Sequence, residues 1–119
     1  MSGIAEKAIE LAKVIEGSAE YLRFREAKAK LAQNTAAQIM YSDFQAMRRD
    51  LEQMLLTGES VPQQKQEELR EKQELIMFNE DIRELVMAEV GLGSVLVEVQ
   101  QILAEHLKLI EPNTDKDVN

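Results

Sequence analysis

Apolar residues recur along most of the chain at steps of three and four positions, which is the period of an α-helix rather than of a strand. This pattern is interrupted at Gly17, at Asn34, over residues 57–62 and at Asn79. Glycine and proline end helices, whereas serine and asparagine are favoured at helix N-caps. The sequence therefore predicts an all-α fold of about five helices that form antiparallel hairpins, with a long helix at the C-terminal end.

The first three predicted helices carry the clearest helix-start signals and most of the predicted core. Ser18 suits the N-cap of a second helix, after a first helix over residues 3–16 with Gly17 at its C′ position. Asn34 or Thr35 begins the third helix, where Thr35 and Gln38 have capping-box spacing. We expect the second helix to pack on the third. The predicted core consists of Tyr21, Phe24, Leu31, Met40, Phe44, Met47 and Leu51.

The last two predicted helices differ strongly in polarity. The fourth, over about residues 62–78, has Ser60 and Gln63 at capping-box spacing and is polar enough for its first half to lie in solvent. The last, from Asn79 to about Ile110, is apolar on more than one stripe, so we expect a second copy of the chain to cover it. The predicted dimer contact consists of Leu92, Gly93, Leu96, Val99 and Leu103. Residues 1–110 are predicted to form one domain, and residues 111–119 a disordered tail.

Composition limits the class of protein and its location. The 119 residues are 45% apolar and suffice for one domain, and with no cysteine the chain can form neither a disulfide nor a cysteine-ligated cluster. No run of about 18 uncharged apolar residues is present, so we expect a cytoplasmic protein without membrane insertion. The net charge is −8, and the acidic excess lies after residue 57. Direct nucleic-acid binding is therefore not expected.

One short stretch departs from this acidic balance. Within "SAEYLRFREAKAKLAQN" the second helix carries four basic side chains. They form a candidate docking surface for an acidic partner, and a solvated helix face explains them equally well. These residues are Arg23, Arg25, Lys28 and Lys30. Glu26 is placed to pair with Lys30 at i,i+4.

The candidates for chemistry favour packing. His106 is the single histidine, and Leu103 stands where a helical di-iron site would need a glutamate. Gly91 and Gly93 lie within a helical pattern, follow no strand and lack the third glycine of a nucleotide-binding fingerprint. Close approach of another helix, or a bend, explains them better. We expect no catalytic residue, no cofactor and no metal ligand, and hence no enzyme.

Several segments resemble the YlbF/YmcA family of Firmicutes regulatory proteins. They are "YLRFREAKAKLAQNTAAQIMYSDFQ", "TGESVP" and "FNEDIRELVMAEVGLGSVLVEVQQIL", and the resemblance covers about residues 4–110. It implies a homo-oligomer without enzymatic activity that regulates competence, biofilm formation and sporulation. Such proteins act with sister members and influence messenger-RNA processing through a membrane-associated endoribonuclease. The iron–sulfur clusters of some members do not carry over, because this chain has no cysteine.

Two other classes stay open at this point. A self-associating structural or chaperone-like bundle would need no dedicated partner and would bind unfolded clients broadly and weakly. A small enzyme would need convergent carboxylates in a deep polar cleft. The lone histidine and the missing nucleophile motif argue against the enzyme.

Overall fold

Five α-helices make up the protein in a computed structural model that describes residues 2–111. Their bounds are α1 Gly3–Glu16, α2 Ala19–Ala32, α3 Thr35–Leu56, α4 Gln63–Ile76 and α5 Glu80–His106. No strand occurs within residues 2–111, which confirms the all-α prediction. The tail predicted over residues 111–119 lies, apart from Glu111, outside the described residues.

Three helix starts use the side-chain caps that the sequence predicts. The side-chain oxygens of Ser18, Asn34 and Asn79 accept hydrogen bonds from the backbone N–H three residues later, at 3.2, 3.1 and 3.0 Å. The predicted capping boxes do not set these starts, since Asn34 caps α3, and α4 begins after Pro62 without a side-chain cap. Each cap satisfies a backbone donor that the helix cannot satisfy itself.

Glycine has different roles at two helix ends. Gly58 has φ +78°, and the N–H groups of Glu59 and Gly58 donate to the carbonyls of Met54 and Leu55 at 2.9 and 3.2 Å. This is a Schellman motif with glycine at C′. Gly17 instead has φ −88° and is the C-cap of α1 rather than its predicted C′ residue.

The same motif stops α5 four residues before the predicted end at Ile110. Lys108 has φ +60°, and the N–H groups of Leu109 and Lys108 donate to the carbonyls of Ala104 and Glu105 at 2.8 and 3.1 Å. Lysine lacks the conformational freedom of glycine, which is why the sequence gives no clear stop signal there. The helix ends at His106.

Helix α5 packs mainly along α2, and the two run antiparallel. Lys30 contacts Glu84 and Asn34 contacts Asp81, so residue numbers rise in opposite directions along the pair. Helix α3 pairs with α4 and touches α2 and α5 less extensively, while α1 has α2 as its main neighbour. The main partner of α2 is therefore α5, and not α3 as predicted.

The core lies where α2, α3 and α5 meet. Ile82 is completely buried, and Ala37 and Ala88 are each 1% exposed, so small side chains let the helices approach closely. The buried cluster contains Ala27, Leu31, Ala37, Tyr41, Phe44, Ile76, Ile82, Leu85 and Ala88.

The predicted core is partly confirmed. Leu31, Phe44 and Leu51 are buried. Half-buried positions are Tyr21, Phe24 and Met47. Met40 is 40% exposed and lies outside the core, although Ala37, Tyr41 and Phe44 beside it on α3 are buried.

Substituting two glycines should have opposite effects on stability. Gly58→Ala should lower the free energy of unfolding by about 1 kcal/mol, because alanine is strained at positive φ. Gly91→Ala should raise it by up to about 1 kcal/mol, because the new methyl meets nothing within 4 Å and alanine favours the helix. Urea unfolding at matched protein concentration measures both. Equal shifts of the same sign would contradict the assigned backbone conformations.

Candidate interaction surfaces

The apolar stripe of α5 is covered in its first half and uncovered in its second. Ile82 and Leu85 begin the stripe and are buried against the neighbouring helices. The stripe continues on the same face seven residues later at Leu92, and then at steps of four and three through Leu96, Val99 and Leu103. Leu96 is 47% exposed and Leu103 is 54% exposed, whereas Leu92, Gly93 and Val99 are half-buried. We call residues 91–106 the open half of α5; it contains every residue of the predicted dimer contact.

The stripe of α5 loses its cover because α2 and α5 differ in length. Helix α2 has 14 residues and is about 21 Å long, whereas α5 has 27 residues and is about 40 Å long. The C-terminal end of α2 lies beside the start of α5. Because α2 is the shorter helix, it does not reach the far end of the open half. A side chain built on Gly91 or Gly93 would meet nothing within 4 Å. No close helix approach within the described chain therefore explains either glycine.

Helix α1 is a second uncovered surface. None of its residues is buried. Ile4 is 84% exposed, Val14 71% and Leu11 41%. A 14-residue helix is only marginally stable alone in water, so its apolar face needs cover.

The four basic residues of α2 do not form one strip. Arg23 and Lys30 are seven residues apart on one side of the helix and line an open groove of about 520 Å³ with Glu84. The Lys30 ammonium donates to the Glu84 carboxylate at 3.3 Å, and this hydrogen bond, together with the attraction of the charges, raises the pKa of Lys30. The predicted pair with Glu26 is replaced by this contact between helices.

The other two basic residues lie on the opposite flank. The Lys28 ammonium is 5.4 Å from the centroid of the Phe24 ring, a cation–π contact. Arg25 is exposed. The buried positions Ala27 and Leu31 lie between the two flanks. The docking surface stays a prediction. The structure divides its four residues between two smaller surfaces, one on each flank of α2.

A partly buried polar contact that the sequence analysis missed joins α3 to α5. The Tyr41 hydroxyl donates to Glu89 Oε1 at 2.7 Å, and Tyr41 is only 6% exposed. Burial, and secondarily the bond to Glu89, raises the pKa of Tyr41 to about 12. The available signal was Glu89, a carboxylate between the stripe residues Leu85 and Leu92 that needs a donor if it is packed.

The described residues contain no group of three or more His, Asp or Glu side chains placed to hold a metal ion. His106 lies in the last turn of α5 and is exposed within the single chain. Its predicted packing role would require a partner.

Helix α5 is also the one described helix that is long and apolar enough, by length and composition alone, to cross a membrane. The mean hydropathy of its 18-residue window is 1.4, and 11% of that window is buried. Its first half, however, packs against α2 and binds the Tyr41 hydroxyl through Glu89. We therefore interpret it as a core helix with one uncovered half.

Comparison with known proteins gives a consistent picture. A family model described as control of competence regulator ComK, YlbF/YmcA matches residues 4–108, from α1 to the turn after α5. The chain is 32% identical over 102 residues to a UPF0342 protein of Halothermothrix orenii, covering 86% of each chain. It is 32% identical over 108 residues to a UPF0342 protein of Caldicellulosiruptor bescii, covering 91% of each chain. A UPF0342 protein of Staphylococcus epidermidis is 27% identical over 100 residues, which is 84% of this chain and 88% of the relative.

The raised pKa of Tyr41 predicts a pH-dependent stability. Folding favours the protonated phenol, so between pH 10 and about 12 the folded chain binds more protons than the unfolded chain and stability falls as pH rises. Urea unfolding midpoints across this range should fall more steeply for the native chain than for Tyr41→Phe. Lysine and arginine titration is common to both chains, so identical slopes would contradict a buried, carboxylate-bonded phenol.

Proposed function

The chain belongs to the YlbF/YmcA family, and on that premise we propose that it is a non-enzymatic regulatory protein that acts as a homodimer through protein–protein contacts. The family description, control of competence regulator, supports the regulatory role. The homodimer and the adaptor mechanism are inferred from the surfaces of the chain itself. By resemblance to the family, we propose that the protein influences messenger-RNA processing by acting with sister proteins and a ribonuclease.

The observation that carries the proposal is the uncovered continuation of the α5 stripe. The stripe is buried at Ile82 and Leu85, half-buried at Leu92 and Val99, and exposed at Leu96 and Leu103. Exposing such a stripe costs free energy, since burying a leucine side chain stabilises by about 1.5–3 kcal/mol. A second copy of the same chain is present at the same concentration and carries the same uncovered surfaces. It is therefore the simplest source of cover.

The charge distribution supports action through proteins rather than on RNA directly. A net charge of −8 disfavours contact with a phosphate backbone. The exposed flank of α2 with Arg25 and Lys28 is locally basic, and neither residue forms an ion pair within the described chain. An acidic protein surface is the partner that this flank fits.

Charge introduced on the stripe should separate the dimer. Leu96→Glu places a carboxylate in the predicted contact and should give a folded monomer, measured by sedimentation equilibrium and circular dichroism. Leu22→Glu is a matched control, because Leu22 is 48% exposed against 47% for Leu96 and lies on the outer face of α2. It should leave the dimer intact. A dimer that persists in Leu96→Glu would place the contact elsewhere.

Partner capture tests the adaptor role. The tagged protein, crosslinked in its native cytoplasm, should recover sister family proteins or a ribonuclease, and the variant Arg25→Glu with Lys28→Glu should lose them while staying dimeric. The control variant Lys65→Glu with Lys72→Glu makes the same charge change on exposed positions of α4. Capture that is equal in all three would exclude this flank. Broad recovery of unfolded proteins would favour a chaperone-like bundle.

A further inference from the structure

Two uncovered apolar surfaces of the chain match each other in length and spacing. Helix α1 has 14 residues and is about 21 Å long, and the open half of α5 is about 24 Å long over residues 91–106. Ile4 and Leu11 are seven residues apart on the apolar stripe of α1, and Leu96 and Leu103 are seven apart on α5. Two stripes with the same repeat can pack along each other over two turns.

The turn between α1 and α2 holds α1 away from the open half of its own α5. The Ser18 hydroxyl donates to the Ile15 carbonyl at 2.6 Å and accepts from the Tyr21 N–H at 3.2 Å, so one side chain ties the end of α1 to the start of α2. The N–H groups of Gly17 and Ser18 also donate back into α1. With this corner fixed, α1 contacts α2 near the turn and forms no extended contact with α5 within the described chain.

Coverage favours α1 over a second α5 as the partner surface. None of the α1 residues is buried within the chain, and Ile4 is 84% exposed. Two open halves packed together would leave the apolar stripes of both α1 helices exposed. Packing α1 on the open half removes both apolar surfaces from water at one contact.

We infer that α1 of one copy packs on the open half of α5 of a second copy, so that the two chains exchange their first helices. This rests on the proposed homodimer and goes beyond it by naming the element that each copy contributes. Applied twice by a two-fold axis, the exchange covers both α1 helices and both open halves. It uses the same surface pair on each side, as closed symmetry requires.

Cysteine crosslinking tests the exchange directly, because the chain has no cysteine of its own. Two full-length chains with tags of different size are co-expressed, one carrying Ile4→Cys or Leu11→Cys and the other Leu96→Cys or Leu103→Cys. After mild oxidation with diamide, the two sizes should join into a mixed disulfide-linked dimer. Parallel packing favours the pairs 4–96 and 11–103, and antiparallel packing favours 4–103 and 11–96. Glu98→Cys, on the opposite face of α5, replaces Leu96→Cys in the control and should give no mixed band.

The other outcomes are distinct from one another. A Leu96→Cys homodimer band without any mixed band would mean that the open halves pair with each other, which overturns the exchange. A compact crosslinked monomer from one chain carrying both cysteines, without a mixed band, would place α1 on its own α5 and overturn it as well. Sedimentation of the unsubstituted chain comes first. A monomer there would overturn the homodimer itself, whereas a dimer without a mixed band would overturn only the exchange.

Discussion

The packing of the first half of α5 against α2 and α3 is the contact on which the rest of the structure depends. Ile82 is completely buried there, and Ala37 and Ala88 are small enough to let the helices approach closely. Three polar contacts fix the register of this packing: Lys30 with Glu84, Asn34 with Asp81, and Tyr41 with Glu89. A shift of α5 by one turn would separate all three pairs. It would also remove the Glu89 acceptor from the Tyr41 hydroxyl, and a hydrogen bond of this kind contributes about 1 kcal/mol.

This register has a direct consequence for the surface of the protein. Because α2 is about half as long as α5 and is aligned with the start of α5, it cannot cover the apolar stripe further along. Helix α5 thus contributes to the core with its first half and carries an uncovered apolar surface on its second. The extra surface is a property of helix lengths, and no special binding motif is needed to explain it.

Features that depend only on residues close together in the sequence were predictable from it. The caps at Ser18, Asn34 and Asn79 each involve a donor three residues away. Contacts between helices were not, since periodicity shows that a face is apolar without showing which helix covers it. Lys30 therefore pairs with Glu84 rather than with Glu26. The buried alanines were mostly missed for a related reason, because alanine favours a helix equally at a buried or an exposed position. The docking and dimer surfaces remain predictions.

The acidic residues of α5 have a role in packing that the net charge of the chain does not reveal. Glu84 accepts a hydrogen bond from α2, Asp81 from the turn after α2, and Glu89 from α3, so part of the acidic excess in α5 fixes the packing. Lys30 is therefore already paired, whereas Lys28 lies over an aromatic ring and forms no ion pair within the described chain. An acidic partner would meet its least internal competition on the flank with Lys28. The packing of the core thus decides which basic residues remain available for a partner.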